Sequence, residues 1–384
     1  MKKNDLHIML ILFVSGLVIM MNLYLTIPLT KTISSDFNVS LNSAGLLSSF
    51  FSIGFALGCL IYGTLSEKIG RKQTIFIGII CLTLITLFIG LSNSFYLILF
   101  LRFLQGLAAA TFSPVALAFA GEFFKANQKT TAIGLISTGF LMAGILGQVL
   151  STTLNQLYSF QSIFLVMSLL LCLCTLGLFF FLPKDSNTKN VSFFKNFANL
   201  KNILKKQSLL LCYLIAFLLL LSFVLMYSFL MSKLAIEPYN LSTSEQLKIR
   251  LFGLLGMIVS PLAGKLSAKV GIKNLLVYSL SLTVISSILF IFSKSIVTLT
   301  ILSVIFVLGI ALAVPSLVTL VNFFGEFERG LSVSIYTFIL FLGTSFAPVI
   351  VSFSTTFSKT NINFSILSMI TLISFITSLI IKRK

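Results

Sequence analysis

From residue 8 to residue 381 the chain is a succession of apolar stretches of about 20 residues, separated by short polar loops. They cover roughly 8–30, 43–64, 74–92, 95–120, 130–153, 161–182, 208–231, 246–266, 274–292, 296–321, 330–352 and 361–381. About 20 apolar residues are what a helix needs to cross some 30 Å of hydrocarbon. The loops are too short, and period-two alternation too weak, for a β-barrel, and a backbone in lipid must satisfy its own hydrogen bonds. Twelve transmembrane helices are therefore expected, in an all-α membrane protein.

Composition agrees. Hydrophobic residues make up 57% of the chain and charged ones 9%, with a mean hydropathy of +1.09. A soluble domain cannot bury that much apolar surface. The formal charge of +18 would point to nucleic acid on a soluble protein. Here the basic residues sit in loops between apolar runs, so membrane topology accounts for them and nucleic acid is excluded as a partner. Both termini in the cytoplasm would put 20 of the 27 basic residues inside, and six outside: Lys31, Lys233, Lys248, Arg250, Lys294 and Lys359. The expected location is a cell membrane, multi-pass. The amino-terminal Lys2, Lys3 and apolar run imitate a secretion signal, but the run is too long and lacks a cleavage site, so a retained first helix is expected. The five cysteines lie in apolar runs and read as small buried hydrophobes.

The chain repeats itself. Gly63–Gln73 returns as Gly264–Asn274, 201 positions on, with Gly63/Gly264, Leu65/Leu266, Ser66/Ser267, Lys68/Lys269, Gly70/Gly271 and Lys72/Lys273 identical. Pro114 and Pro315 share the same offset. Two pseudo-symmetric six-helix bundles follow, 1–182 and 208–384, an architecture of carriers. Between them, 183–207 is a basic linker. Phe193, Phe194, Phe197, Leu200, Ile203 and Leu204 recur there at helical spacing, which predicts a short amphipathic helix on the anionic inner leaflet.

Three segments carry candidate function. Gly63, Glu67, Lys68, Gly70, Arg71 and Lys72 resemble the loop after the second helix of the major facilitator superfamily, with Glu67 for the usual Asp and Lys68 for the usual Arg. The resemblance implies a switch network holding one face of a carrier closed. Arg102, Gln105, Gly106 and Ala110 resemble the fourth-helix motif of the same family, which implies a role for Arg102 in proton coupling or in shaping a central site. Arg102 lies about seven residues, some 10 Å, into its helix, where a charge is costly unless it meets polar partners; the alternative is an arginine snorkelling outward. Gly139, Ala143, Gly144, Gly147 and Gln148 resemble an exporter motif without its proline, and read equally well as a close helix-packing face.

The eighth run is read as ending at Gly264, which would draw Lys248 and Arg250 into its outer third. Either they line an outer vestibule that attracts anions, or they reach lipid phosphate. Asn22, Tyr24, Gln148, Tyr213, Tyr227 and Tyr336 are further candidates for a central cavity. All nine acids lie at helix ends or in loops, so coupling would use a boundary group such as Asp36 or Glu122, or the substrate's own ionisation. The resemblance, most to the drug/proton antiporter and sugar-efflux branch, implies alternating access and export of a small amphipathic or anionic solute. Uptake or facilitated diffusion stays open. No nucleophile, base and metal-ligand set converges, so an enzyme is not expected, nor a sensor, cofactor or metal. The expected partners are a small-molecule substrate, protons and membrane lipid, and the carrier is expected to be a monomer.

Overall fold

A computed structural model describes residues 3–183, 203, 205–355 and 360–381. Within them the chain is helical: α1 (Lys3–Tyr24), α2 (Thr30–Asp36), α3 (Leu41–Ile69), α4 (Arg71–Leu91), α5 (Phe95–Ala109), α6 (Ser113–Phe123), α7 (Ala126–Leu157), α8 (Phe160–Phe181), α9 (Gln207–Leu234), α10 (Thr243–Met257), α11 (Ala263–Val270), α12 (Ile272–Phe292), α13 (Ile296–Phe324), α14 (Arg329–Thr355) and α15 (Thr360–Ile380). Among the described residues, eleven spans are long and apolar enough to cross a membrane, and α14 adds a shorter apolar stretch, Arg329–Thr344. On α4, Ile77, Leu84, Phe88 and Leu91 are exposed at helical spacing, and on α8 Leu165, Leu169, Leu173, Leu176 and Phe180 are. Apolar stripes of that length suit lipid, not water. Cys81 and Cys172 lie on such exposed faces, whereas Cys59, Cys174 and Cys212 are buried, so burial holds for three of the five. The predicted linker helix at 183–207 falls almost wholly outside the described residues, as does Lys359.

The chain divides into two units, Met1–Phe124 with Leu135–Leu200, and Lys125–Gly134 with Lys201–Lys384. The same packing recurs in each. In the first, α3 packs on α5, α4 on α5 and α8, and α1 on α8; in the second, α10 packs on α13, α12 on α13 and α15, and α9 on α15. The opening turns of α7 belong to the second unit. There a Cβ at Gly134 would collide with the Ser260 carbonyl and one at Gly264 with Thr131, while Ser260 Oγ donates to the Gly134 carbonyl at 3.1 Å.

The repeated turn has one backbone solution in both copies. Gly70 and Gly271 take φ of 109° and 84°, left-handed values that favour glycine and end the preceding helix. Ser66 Oγ donates to the Gly63 carbonyl at 2.7 Å, and Ser267 Oγ to the Gly264 carbonyl at 3.0 Å. Lys72 Nζ donates to the carbonyls of Phe179 (3.1 Å) and Leu182, and Lys273 Nζ to that of Leu379 (3.0 Å). A cation on the last carbonyls of a helix satisfies acceptors that have no helical donor and suits the helix dipole.

This turn corrects the eighth helix. It continues past Gly264 through α11 to Val270, with a single 3-10 turn, Ser260–Leu262, at Pro261. Twenty residues follow Arg250 rather than fourteen, so span length alone does not draw Arg250 inward. The two prolines also differ in effect. Pro315 lies inside the continuous α13, whereas before Pro114 the chain tightens to 3-10 bonds, Thr111 N to the Ala108 carbonyl and Phe112 N to that of Ala109 at 3.2 Å each, separating α5 from α6.

Candidate functional site

Arg102 is 0% exposed, which removes the snorkelling alternative. Close packing of α3 on α5 places it: a Cβ at Gly106 would collide with the Phe51 carbonyl, and one at Gly54 with that of Phe103. Its Nε donates to the Leu47 carbonyl at 3.1 Å. Its Nη1 donates to the Asn22 carbonyl (2.9 Å) and to Gln105 Oε1 (2.6 Å), and its Nη2 to Thr26 Oγ1 (3.3 Å). The guanidinium lies 4.5 Å from the centre of the Phe51 ring. The Asn22 carbonyl is available because α1 stops at Tyr24 and helix resumes only after the 3-10 turn Ile27–Leu29, which holds Pro28.

A second layer orients the first. Gln105 Nε2 donates to Asn22 Oδ1 (3.0 Å) and Thr86 Oγ1 (2.8 Å), which turns Oε1 toward the arginine. Asn22 Nδ2 donates to the Val18 and Ile19 carbonyls, and Thr26 shares a 2.8 Å bond with Ser48. Every one of these hydrogen-bond partners is neutral. Dipoles solvate the cation without cancelling its charge, and in a low-dielectric interior that charge acts at longer range than in water.

The network brings the candidates Asn22, Arg102 and Gln105 together, and adds Thr26, Ser48, Thr86 and the main-chain carbonyls of Leu47 and Asn22, which the sequence does not single out. The half-buried Tyr24 ring faces Gly144, and Gln148 Nε2 donates to the Gly144 carbonyl of its own helix at 2.8 Å. Gly139 and Gly147 let α7 approach the α1 backbone at Phe13 and Met21. In the second unit, Tyr213 hydroxyl donates to the Ser332 carbonyl at 3.1 Å, and Tyr336 is fully buried. An apolar groove of about 290 Å³ among α3, α4 and α5, lined by Tyr62, Leu65, Ile77, Cys81, Leu104 and Leu107 among others, contains none of the predicted site residues.

At the Gly63 turn the predicted set separates into three behaviours. Arg71, 5% exposed, pairs with Glu122 (2.9 Å) and Glu67 (3.4 Å) and donates to the Gly63 carbonyl (2.8 Å) and to Ser66 Oγ. Lys72 caps α8, and Lys68 is exposed. Glu122, on α6, is 51 positions from Arg71 and joins the network only through the fold.

Lys248 and Arg250 also separate. Lys248 is exposed, while Arg250 is half-buried with its guanidinium 4.8 Å from the centre of the Tyr227 ring.

The sequence profile of the Major Facilitator Superfamily matches residues 12–348 and 251–384. An uncharacterized transporter of Buchnera aphidicola subsp. Schizaphis graminum is 26% identical over 90% of this chain and 84% of its own length. The chloramphenicol resistance protein CraA of Acinetobacter baumannii is 32% identical over 39% of this chain and 37% of its own. The human organic anion transporter MFSD10 shares the fold, with a TM-score of 0.78 at 16% identity over 98% of this chain and 100% of its own.

Proposed function

The chain belongs to the major facilitator superfamily of membrane transporters, and within it we propose a secondary transporter of a cell membrane that exports a small amphipathic or anionic organic solute by alternating access. The observation that carries the substrate class is the shell of Arg102: a buried cation whose hydrogen-bond partners are all neutral. Its uncancelled charge favours a negatively charged solute inside an otherwise apolar bundle. A relative named for chloramphenicol resistance supports export, and a fold neighbour named as an organic anion transporter is in keeping with the charge preference.

Protons are the proposed coupling ion. The titratable groups at hand are boundary acids, Glu67 and Glu122 around Arg71, together with any acidic group of the substrate itself. With both termini cytoplasmic, the Gly63 turn lies at the cytoplasmic end, where the Arg71 cluster would hold the first unit's inner face in one state. Gly144, where exporters of the resembled branch carry proline, favours a second reading, a facilitator or uptake carrier.

Counterflow of chloramphenicol and of benzoate into proteoliposomes, with and without a pH gradient, tests this. Export coupled to protons predicts flux that rises with the gradient and falls when a protonophore collapses it. Flux indifferent to the gradient favours the facilitator, and absence of flux for a broad solute panel overturns the substrate class.

A further inference from the structure

The repeat offset pairs Thr26, in the turn that follows α1, with Tyr227 on α9. Thr26 accepts a bond from Arg102, and Tyr227 lies under the guanidinium of Arg250. Each unit thus sets a hydroxyl-bearing residue, at the same repeat position, against an arginine. The two arginines come from different helices: Arg102 from α5, and Arg250 from α10, whose repeat counterpart is Ser49 on α3. The counterpart of Arg102 is Ser303.

Their surroundings differ in what they offer. Where the first unit has the side-chain acceptors Asn22 and Gln105, the second has Phe223 and Phe306. The Phe223 ring meets the Tyr227 ring edge-on, with centres 5.4 Å apart and planes at 81°. Arg250 is half-buried where Arg102 is fully buried. The Tyr227 side chain is 1% exposed and its hydroxyl has no hydrogen-bond partner. A buried phenol in that condition is destabilising, and phenylalanine would pack the same space without the orphan donor.

We propose that Arg250 and Tyr227 form a subsite for the carboxylate of an aromatic or otherwise amphipathic organic acid. The guanidinium supplies charge and paired N–H donors, the Tyr227 hydroxyl a further donor, and the rings of Tyr227 and Phe223 an apolar wall. This rests on the transport reading above and names the chemistry of its ligand.

The test is equilibrium binding of radiolabelled benzoate and of its neutral isostere benzamide to the purified full-length protein, for wild type, Arg250→Gln, Tyr227→Phe and the control Lys31→Gln. Folding of each variant is followed by gel filtration and melting temperature. The subsite predicts saturable benzoate binding that exceeds benzamide binding. Arg250→Gln should weaken it by at least about thirtyfold and Tyr227→Phe by about five- to tenfold, with benzamide and Lys31→Gln near wild type. Wild-type protein that does not bind benzoate, or folded Arg250→Gln and Tyr227→Phe variants that bind it as wild type does, would overturn the proposal. Chloramphenicol counterflow in the same preparations reports separately on transport: retained flux with unchanged benzoate binding removes the subsite alone, and loss of flux in wild type removes the transport reading.

Discussion

The two copies of the repeated turn show which parts of a duplicated bundle are dictated by the backbone and which are free to change. Ser66/Ser267, Gly70/Gly271 and Lys72/Lys273 make the same contacts in both units, because each answers a requirement that every helix–turn–helix of this shape has: a satisfied last turn, a left-handed residue and capped carbonyls. The charged cluster does not recur. Glu67, Arg71 and Glu122 correspond to Ala268, Ile272 and Phe323. Deeper in each unit the contrast returns as Arg102 against Ser303. Shared geometry serves folding, and the features confined to one unit are where we propose that function is concentrated.

The largest effect that would sharpen this contrast is expected at Arg102. Arg102→Ala removes a donor set that ties α1, α3 and α5 together and leaves buried acceptors unmet, so it should destabilise the protein by roughly 3–5 kcal/mol. Ser303→Ala, its repeat counterpart, should cost less than about 1 kcal/mol; thermal unfolding in detergent compares them. Next come the glycines. Gly70→Ala and Gly271→Ala each force a side chain into a left-handed conformation and should each cost about 1–2 kcal/mol. Equal losses in melting temperature support a shared backbone role, and a loss at one position alone breaks the comparison. Arg71→Gln should slow transport by about tenfold or more, whereas Ile272→Gln should leave the rate within about twofold. The smallest effect is at the helix caps, where Lys72→Met and Lys273→Met should each cost about 0.3–1 kcal/mol.

Much of this arrangement is legible in the residues. Apolar run length specifies the helices, and the 201-residue echo specifies two matching units. The pairing of Arg102 with Gln105 follows from their three-residue spacing on one helix face. What escapes is either non-local or carried by the backbone. The Leu47 and Asn22 carbonyls have no residue signature, and the Asn22 carbonyl is freed only by the break before Pro28. Thr26, Ser48 and Thr86 look like ordinary hydroxyls of apolar helices until the fold turns them toward one centre. Glu122 reaches Arg71 across 51 positions. The end of the eighth helix was legible in principle, because the echo places Gly271 where Gly70 stops α3; Gly264, like Gly63, sits within its helix.

The most direct test of the account compares counterflow of one solute in proteoliposomes for wild type, Arg102→Lys and Ser303→Ala, each shown to be folded by gel filtration. Lysine keeps the charge but cannot reproduce the guanidinium's several directed bonds. The account predicts that Arg102→Lys lowers the transport rate by about tenfold or more while Ser303→Ala transports as wild type does. Wild-type flux in Arg102→Lys, or equal losses in both variants, would contradict it.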